Sequence, residues 1–149
     1  MNKDLEINFL KMVPMDVIMN HIMPFTYEPK PPRHMNDIRS YYSDYQMIIN
    51  YYYYDLNEYI LLRDIVNFYN NNQPLDNGIE HSFTVKLNRN IRLQQKSLDE
   101  KCAFIFFNYK DNITVNAENK IKFLWGLLKP HERTTFINKY VIEYLEKIE

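Results

Sequence analysis

Glycine is so scarce in this chain that the range of folds open to it is narrow. Only 2 of its 149 residues are glycine, Gly78 and Gly126. Sheet proteins with many tight turns use glycine for backbone conformations that other residues avoid, so this scarcity argues against an all-β fold. It also leaves the sequence without the glycine-rich phosphate-binding patterns GxGxxG and GxxxxGK[ST]. The glycine content therefore favours helices and excludes the most familiar nucleotide-binding motifs.

Apolar residues recur every three or four positions over most of the chain, which is the spacing of one face of an α-helix. After a short helix from Pro14, helices are predicted to begin near Pro32, Leu56, Ser97, Thr114 or Asn116, and Pro130. Asp55 is predicted to cap the helix near Leu56, and Ser97 and Glu100 match the capping-box pattern S-x-x-E. The helix from Pro32 has the apolar row Met35, Ile38, Tyr42, Tyr45, Ile49 and Tyr52.

These patterns predict an all-α fold, a single domain of about six or seven helices that spans residues 1–149. Apolar residues make up 46% of the chain, which is enough for one hydrophobic core. The segment from Asn70 to Gly78 is the strongest turn signal, and we interpret it as a loop between two layers of that domain. The helix over residues 56–69 has two apolar rows, which predicts a central position. The predicted core contains Ile65, Phe68, Ile105, Leu124, Trp125 and Ile137.

Residues 79–96 fit two kinds of secondary structure. Ile79, Phe83, Leu87 and Ile91 recur every four residues, which favours a helix. Phe83, Val85 and Leu87 alternate with polar residues, which favours a short strand. A helix would also place the basic residues of the segment in one stripe. We favour the helix because it explains both patterns, and the strand remains the alternative.

That basic stripe is the best nucleic-acid feature of the sequence. It consists of Lys86, Arg89, Arg92 and Lys96, with no acidic residue among them. A helix with this face could lie along phosphates, and neighbouring asparagine and glutamine residues add hydrogen-bonding groups. However, the net charge of −1 gives no global field that would attract nucleic acid. We therefore favour a solvated surface over a nucleic-acid site.

No constellation of residues in the sequence predicts catalysis or cofactor binding. The single cysteine, Cys102, lies in an apolar helical row, where a thiol usually serves as packing. The four histidines have no metal-ligand spacing and no paired cysteines. We therefore predict a non-enzymatic protein with no catalytic residue, metal site or cofactor. The lone cysteine, the acidic start of the chain and the lack of a long apolar run predict an intracellular protein without membrane association.

Tyrosine is abundant, with 13 residues, and four of them are consecutive, from Tyr51 to Tyr54. Four consecutive side chains cannot all point inward from one helix, so some are predicted to be exposed or to contact a partner. Tyrosine suits such a position because one end of its side chain is apolar and the other is polar. The alternative is a core in which codon bias has replaced leucine and phenylalanine by tyrosine.

Two segments near the N-terminus, VPMDVIMNHIMPFTY (residues 13–27) and HMNDIRSYYSDY (residues 34–45), together resemble the F-box family. Val13 and Pro14 stand where that family usually has Leu-Pro. The pattern is also similar to F-box-like openings of proteins of large DNA viruses. The later segment FLWGLLKPHERTTFI (residues 123–137) is similar to a closing segment of such viral proteins, marked by Trp125, Pro130, Glu132 and Arg133.

The resemblance implies a protein-interaction function. It implies an F-box-like helical pair in residues 13–54, a C-terminal helical part in residues 55–149, and a Skp1-type adaptor as the partner in the host cytoplasm or the virion. The partner-binding residues that it implies are Val13, Pro14, Ile18, Ile22, Phe25, Ile38, Tyr41 and Tyr42. The alternative hypothesis is a structural, virion-associated helical protein that self-associates or binds nucleic acid through the stripe in residues 86–96.

Overall fold

The computed structural model describes residues 32–147, and it describes side chains from residue 38 onward with the exception of residue 55. The described residues contain seven helices, a short 3₁₀ turn (Leu75–Asn77) and no strand, which confirms the prediction of an all-α fold with about six or seven helices. The helices are α1 (Pro32–Asp55), α2 (Glu58–Tyr69), α3 (His81–Leu87), α4 (Ile91–Gln94), α5 (Leu98–Phe106), α6 (Ala117–Leu127) and α7 (Pro130–Ile137). Helix α5 continues through a π turn (Phe107–Asp111), and α7 continues through a π turn (Asn138–Ile142) and a last α turn (Glu143–Glu146).

The chain divides into two units, residues 1–36 and residues 37–149, so the boundary falls inside helix α1. The second unit contains the buried residues of the described part of the chain. Within it, α2 packs most extensively against α6, and α3 packs against both α2 and α5. The predicted central position of α2 agrees with this packing, because Leu61, Leu62, Ile65, Val66 and Tyr69 of this helix are all buried.

Local capping explains where several helices begin. Ser97 Oγ accepts a hydrogen bond from the Glu100 N–H, and the Glu100 carboxylate accepts one from the Ser97 N–H, so the predicted capping box is present. Pro130 occupies the first turn of α7 as predicted. The N-cap of α2 is Asn57, whose side chain accepts from the Ile60 N–H, so the prediction that Asp55 caps this helix was wrong.

The predicted turn after α2 is built around one buried amide. Asn70 is fully buried, and its side-chain amide donates to the carbonyl oxygens of Gln73 and Gly78 over 3.0 and 2.8 Å. Its Oδ1 accepts from the Glu80 N–H over 2.7 Å. Gly78 has φ of 109°, a conformation that side chains rarely tolerate. These bonds satisfy buried polar groups and fix the path of the chain from α2 into α3.

An aromatic cluster joins α2, α6 and α7. The Trp125 and Phe136 rings meet edge to face with centroids 5.5 Å apart, and the Phe68 ring meets Phe136 in the same way at 5.6 Å. Tyr140 stacks on the other side of Phe136 at 4.8 Å. Of the six predicted core residues, five are buried and Phe68 is half-buried at the edge of this cluster. Such ring pairs stabilise a core beyond their buried area.

Helix α1 packs on the core through Ile48 and Tyr52, of which only Tyr52 belongs to the predicted apolar row. Ile48 and Tyr52 are fully buried, whereas Ile38 and Tyr42 of the predicted row are exposed. Two apolar rows lie side by side on this helix, and their spacing is the same, so periodicity alone could not tell which one faces inward. The inner row passes through Ile48, which the predicted row omits. The sequence assigned neither row of this helix to the core, and an apolar row that contains Ile38 and Tyr42 remains at the surface.

Residues 79–96 are helical, so the strand alternative was wrong. They form two short helices, α3 and α4, rather than one. The break occurs because Asn90 caps α4, where its side-chain oxygen accepts from the N–H groups of Arg92 and Leu93. The chain therefore changes direction between Leu87 and Ile91, and the basic residues do not share one helical face.

Candidate protein-interaction surface

The inner row of α1 is anchored to α2 by a buried hydrogen bond. Tyr52 is fully buried, and its Oη donates to Asp64 Oδ2 over 2.6 Å. Burial raises the pKa of Asp64, and the bond from Tyr52 offsets part of that shift. Burial and the Asp64 carboxylate both raise the pKa of Tyr52, which keeps its hydroxyl protonated as a donor. The bond fixes the rotation of α1 about its axis.

A second contact fixes α1 against α7 through a buried guanidinium. Arg133 is only 3% exposed, and its Nη1 donates to the Leu128 carbonyl over 2.7 Å. Its Nε lies 3.4 Å from Asp44 Oδ2, and its guanidinium lies over the Tyr41 ring at 5.6 Å. The Tyr41 ring stacks in turn on Tyr45. Tyr41 therefore belongs to the contact that holds α1 in place, although the family resemblance assigns it to partner binding.

The outer row of α1 presents apolar and aromatic side chains to solvent. We call Ile38, Tyr42, Ile49 and Tyr53 the outer stripe. Ile38, Tyr42 and Tyr53 are 53%, 65% and 57% exposed, and Ile49 is half-buried. At 3.6 residues per turn, the four side chains lie within about 60° of one another around the helix axis. Ile49 also packs against the core, and the three exposed side chains, on a helix whose rotation is fixed, form a surface suited to binding another protein.

Charged residues lie at both ends of the outer stripe. Arg39 is exposed beside Ile38, and no carboxylate pairs with it in the part of the chain that the structure describes. At the other end, burial and the carboxylates of Glu58 and Glu118 raise the pKa of Tyr53. Glu118 also forms an ion pair with Lys122 over 2.7 Å. The charge of Glu118 is therefore matched by Lys122, and the two ends of the stripe differ in charge through Arg39 at one end and Glu58 at the other.

The structure describes three of the eight residues that the F-box resemblance implies for partner binding. Val13, Pro14, Ile18, Ile22 and Phe25 lie outside the described residues. Ile38 and Tyr42 lie four residues apart in the exposed outer stripe, whereas Tyr41 faces Arg133. Sequence reasoning did not place Tyr53 in this row. The run of four tyrosines hid its orientation, because each of them could continue an apolar row.

Two of the four basic residues proposed for nucleic-acid binding make internal contacts. Arg89 forms a two-pronged ion pair with Glu132, in which Nη2 donates to Oε1 over 2.8 Å, and it also donates to the Leu127 carbonyl. Lys86 lies over the rings of Phe68 and Tyr69, and burial lowers its pKa. Arg92 and Lys96 are exposed. The four residues therefore do not form one continuous basic face.

The Arg89–Glu132 pair predicts a measurable dependence of stability on pH. Burial alone would raise the pKa of Glu132, but hydrogen bonds from Arg89 and from the Lys129 N–H outweigh it and lower that pKa. The carboxylate therefore stabilises the fold above the unfolded-state pKa of about 4.3, and the contribution is lost as pH falls through the lower folded-state pKa. Glu132→Gln should lower the free energy of unfolding by about 1–2 kcal/mol at neutral pH, with a smaller difference in acid.

Urea unfolding across this pH range measures the effect, and Asp64→Asn is the matched control. The raised pKa of Asp64 means that its ionised form is disfavoured in the folded state, so its contribution to stability is lost as pH rises through the folded-state pKa. The two variants should therefore change relative to the parent protein in opposite directions as pH falls. If both differences stay constant with pH, neither carboxylate is coupled to folding in this way.

A shallow cavity lies between the end of α5 and helix α6. It is lined by Phe104, Asn108, Tyr109, Asn119, Lys120 and Phe123. Lys120 Nζ donates to the carbonyls of Asn108 and Asn112, which the end of the π turn leaves without helical partners. Its ammonium is thus committed to the backbone. Within residues 32–147, no group of His, Cys, Asp and Glu side chains is arranged to hold a metal ion.

Comparison with family models, with curated proteins and with solved structures gives no match for this chain. Among the described helices, none is both long enough and apolar enough to cross a bilayer. The outer stripe of α1, with its charged ends, is therefore the candidate site that the described geometry itself supplies.

Proposed function

We propose that this protein is a non-enzymatic, F-box-like interaction protein that binds a protein partner through the outer stripe of α1. The observation that carries the proposal is the exposure of Ile38 and Tyr42 on a helix whose adjacent row is anchored in the core by the fully buried Ile48 and Tyr52. Exposed apolar rows that lie next to one another on a rigid element are typical of binding surfaces. The partner supplies the second wall that this row lacks in the described part of the chain.

The contacts beneath the stripe support this function. The bonds from Tyr52 to Asp64 and from Arg133 to α1 hold the helix in one orientation, so little conformational entropy is lost when a partner binds. Tyrosine is among the residues that contribute most to interfaces, because it offers a large area with few rotatable bonds. Tyr42 and Tyr53 are therefore the expected anchors, with Ile49 between them and Ile38 at the end of the stripe.

A Skp1-type adaptor is the partner that we propose to test first, with the host cytoplasm or the virion of a large DNA virus as the setting. This choice rests on the resemblance of residues 13–45 to the F-box, and it agrees with the exposure of Ile38 and Tyr42. The non-enzymatic character is part of the same proposal. It rests on a surface composed of two isoleucines and two tyrosines on one helix, in which no group that could activate a tyrosine hydroxyl as a nucleophile is placed beside another catalytic group.

Titration calorimetry of the full chain with a purified Skp1-type adaptor tests the proposal. We expect binding, and we expect Ile38→Asp with Tyr42→Asp to weaken it by about 100-fold or more, because each substitution places a charge in the apolar contact. Tyr54→Asp is the matched control, since Tyr54 is 89% exposed on the same helix but lies outside the stripe. No detectable binding by the parent protein would contradict the proposal, and so would an equal loss in the Tyr54 variant.

A further inference from the structure

We propose that the outer stripe of α1 is self-complementary, and that two copies of this chain pair through it as antiparallel helices. The inference rests on the same surface as the proposed function and adds a regulatory consequence to it. A second copy and the partner would compete for one row of side chains. In the dimer each copy would cover the binding surface of the other, and a partner would have to displace the second copy.

The order of side chains along the stripe supports antiparallel pairing. When two such helices run in opposite directions about a twofold axis near Tyr45, Ile38 of one copy lies level with Tyr53 of the other. Tyr42 then lies level with Ile49. Each level places one aromatic ring against one branched aliphatic side chain, so bulky and smaller side chains alternate across the contact. A parallel arrangement would instead place each residue against its own copy, tyrosine on tyrosine.

The charges at the two ends of the stripe favour the same arrangement. Arg39 marks the end at Ile38, and Glu58, at the start of α2, supplies the negative charge at the end near Tyr53, where Glu118 is already paired with Lys122. Antiparallel pairing brings the cationic end of each copy to the anionic end of its neighbour, and the twofold axis repeats the match. Parallel pairing would place Arg39 beside Arg39. Charge complementarity therefore selects both the occupant and its direction.

The small size of the stripe limits the affinity that we expect between two copies. Its four residues extend over about 22 Å of one helix, so the area that they can bury is smaller than the roughly 800 Å² per partner of a standard protein interface. Self-association through this row alone should therefore be weak, with a dissociation constant on the order of 10–100 µM. The equilibrium would be between monomer and dimer and not towards an open polymer, because a twofold contact uses the same surface on both copies.

Disulfide trapping tests both pairing and direction in the full chain. In a Cys102→Ala background, Ile38→Cys and Tyr53→Cys are made as separate single variants. Each variant then contains a single cysteine, so any disulfide must join two chains, and in the antiparallel pair two copies of the same variant hold their cysteines about 22 Å apart, far beyond the roughly 7 Å between Cα atoms that a disulfide allows. We expect oxidation of the mixed variants at about 100 µM to yield a cross-linked dimer, and either variant alone to yield little. Equal cross-linking by Ile38→Cys alone would overturn the antiparallel arrangement.

A charge exchange measured by sedimentation gives an independent readout. Arg39→Glu should weaken self-association several-fold, and Arg39→Glu combined with Glu58→Arg should restore it. Failure of the exchange to restore association would contradict the predicted match of the ends. A strict monomer at about 1 mM would overturn self-pairing altogether. If that monomer still binds the adaptor, self-pairing is contradicted and the proposed function is retained. If the dimer forms and the adaptor does not bind, the proposed function is contradicted and self-pairing is retained.

Discussion

Trp125→Ala should lower the free energy of unfolding by about 4 kcal/mol, because it removes a fully buried indole from the centre of the core. Trp125 contacts Phe136 edge to face, and that ring in turn contacts Phe68 and Tyr140. The substitution leaves a cavity between α2, α6 and α7 that the surrounding rings cannot fill without leaving their present contacts. Trp125 is the single tryptophan of the chain, so the variant has no tryptophan fluorescence to follow. Far-UV circular dichroism during urea unfolding therefore measures the loss.

Trp125→Phe distinguishes the contribution of the aromatic ring to stability from that of the indole N–H group. The indole Nε1 is buried and has no hydrogen-bond acceptor among the described residues. Phenylalanine keeps an aromatic contact with Phe136 and removes that N–H, so we expect a loss of only about 1 kcal/mol. If the two variants lose equal stability, the indole N–H has an acceptor, or the ring contact contributes little.

Arg133→Met should lower the free energy of unfolding by about 3 kcal/mol. The guanidinium is buried, and its removal leaves the Leu128 carbonyl and the Asp44 carboxylate without the cation that faces them. Methionine fills a similar volume, so the loss reports the polar contacts and not a cavity. Because these contacts join α7 to α1, amide hydrogen exchange should rise along α1 more than along α2.

Two further variants sharpen the interpretation of that result. Arg133→Lys keeps the charge but not the planar fork, so its stability should lie between those of the parent and Arg133→Met. Arg92→Met removes an exposed arginine from α4 and should change stability by less than about 0.5 kcal/mol. A neutral Arg133→Met would mean that α1 is held mainly by Ile48 and Tyr52.

The local features of the fold could be predicted from the sequence. The capping box at Ser97, the start of α7 at Pro130 and the turn from Asn70 to Gly78 each depend on residues close together in the chain, and all three are confirmed. The prediction that some residues of the tyrosine run are exposed is also confirmed, because Tyr53 and Tyr54 are exposed, although the sequence did not show which of the four these would be. Such features follow from the preferences of individual residues and from helical periodicity.

Contacts between distant residues could not be predicted in this way. Arg89 pairs with a carboxylate 43 residues away, and Arg133 with one 89 residues away. No local pattern indicates which basic residue has such a partner, so Arg89 was assigned to a basic stripe. For the same reason, the sequence could not show which apolar row of α1 faces the core. The orientation of this helix depends on Asp64, which accepts a hydrogen bond from Tyr52, and on Arg133, which contacts Asp44.

The four residues that mark the resemblance in the C-terminal segment all have structural roles. Trp125 fills the core, Pro130 begins α7, Glu132 pairs with Arg89, and Arg133 holds α1. A chain that shares these residues would therefore be expected to share the packing of α6 and α7 and the orientation of α1. The outer stripe depends on that orientation, so structure and proposed function are linked through Arg133.

The measurement that tests the central claim most directly is the stability of Ile38→Asp with Tyr42→Asp, compared with that of Ile48→Asp. If the outer stripe is a surface, urea unfolding followed by Trp125 fluorescence should place the double variant within about 1 kcal/mol of the parent protein. Ile48→Asp, one row inward on the same helix, should lose at least about 3 kcal/mol or fail to fold. A double variant that loses as much as Ile48→Asp would show that Ile38 and Tyr42 belong to the core, and the interaction surface would not exist.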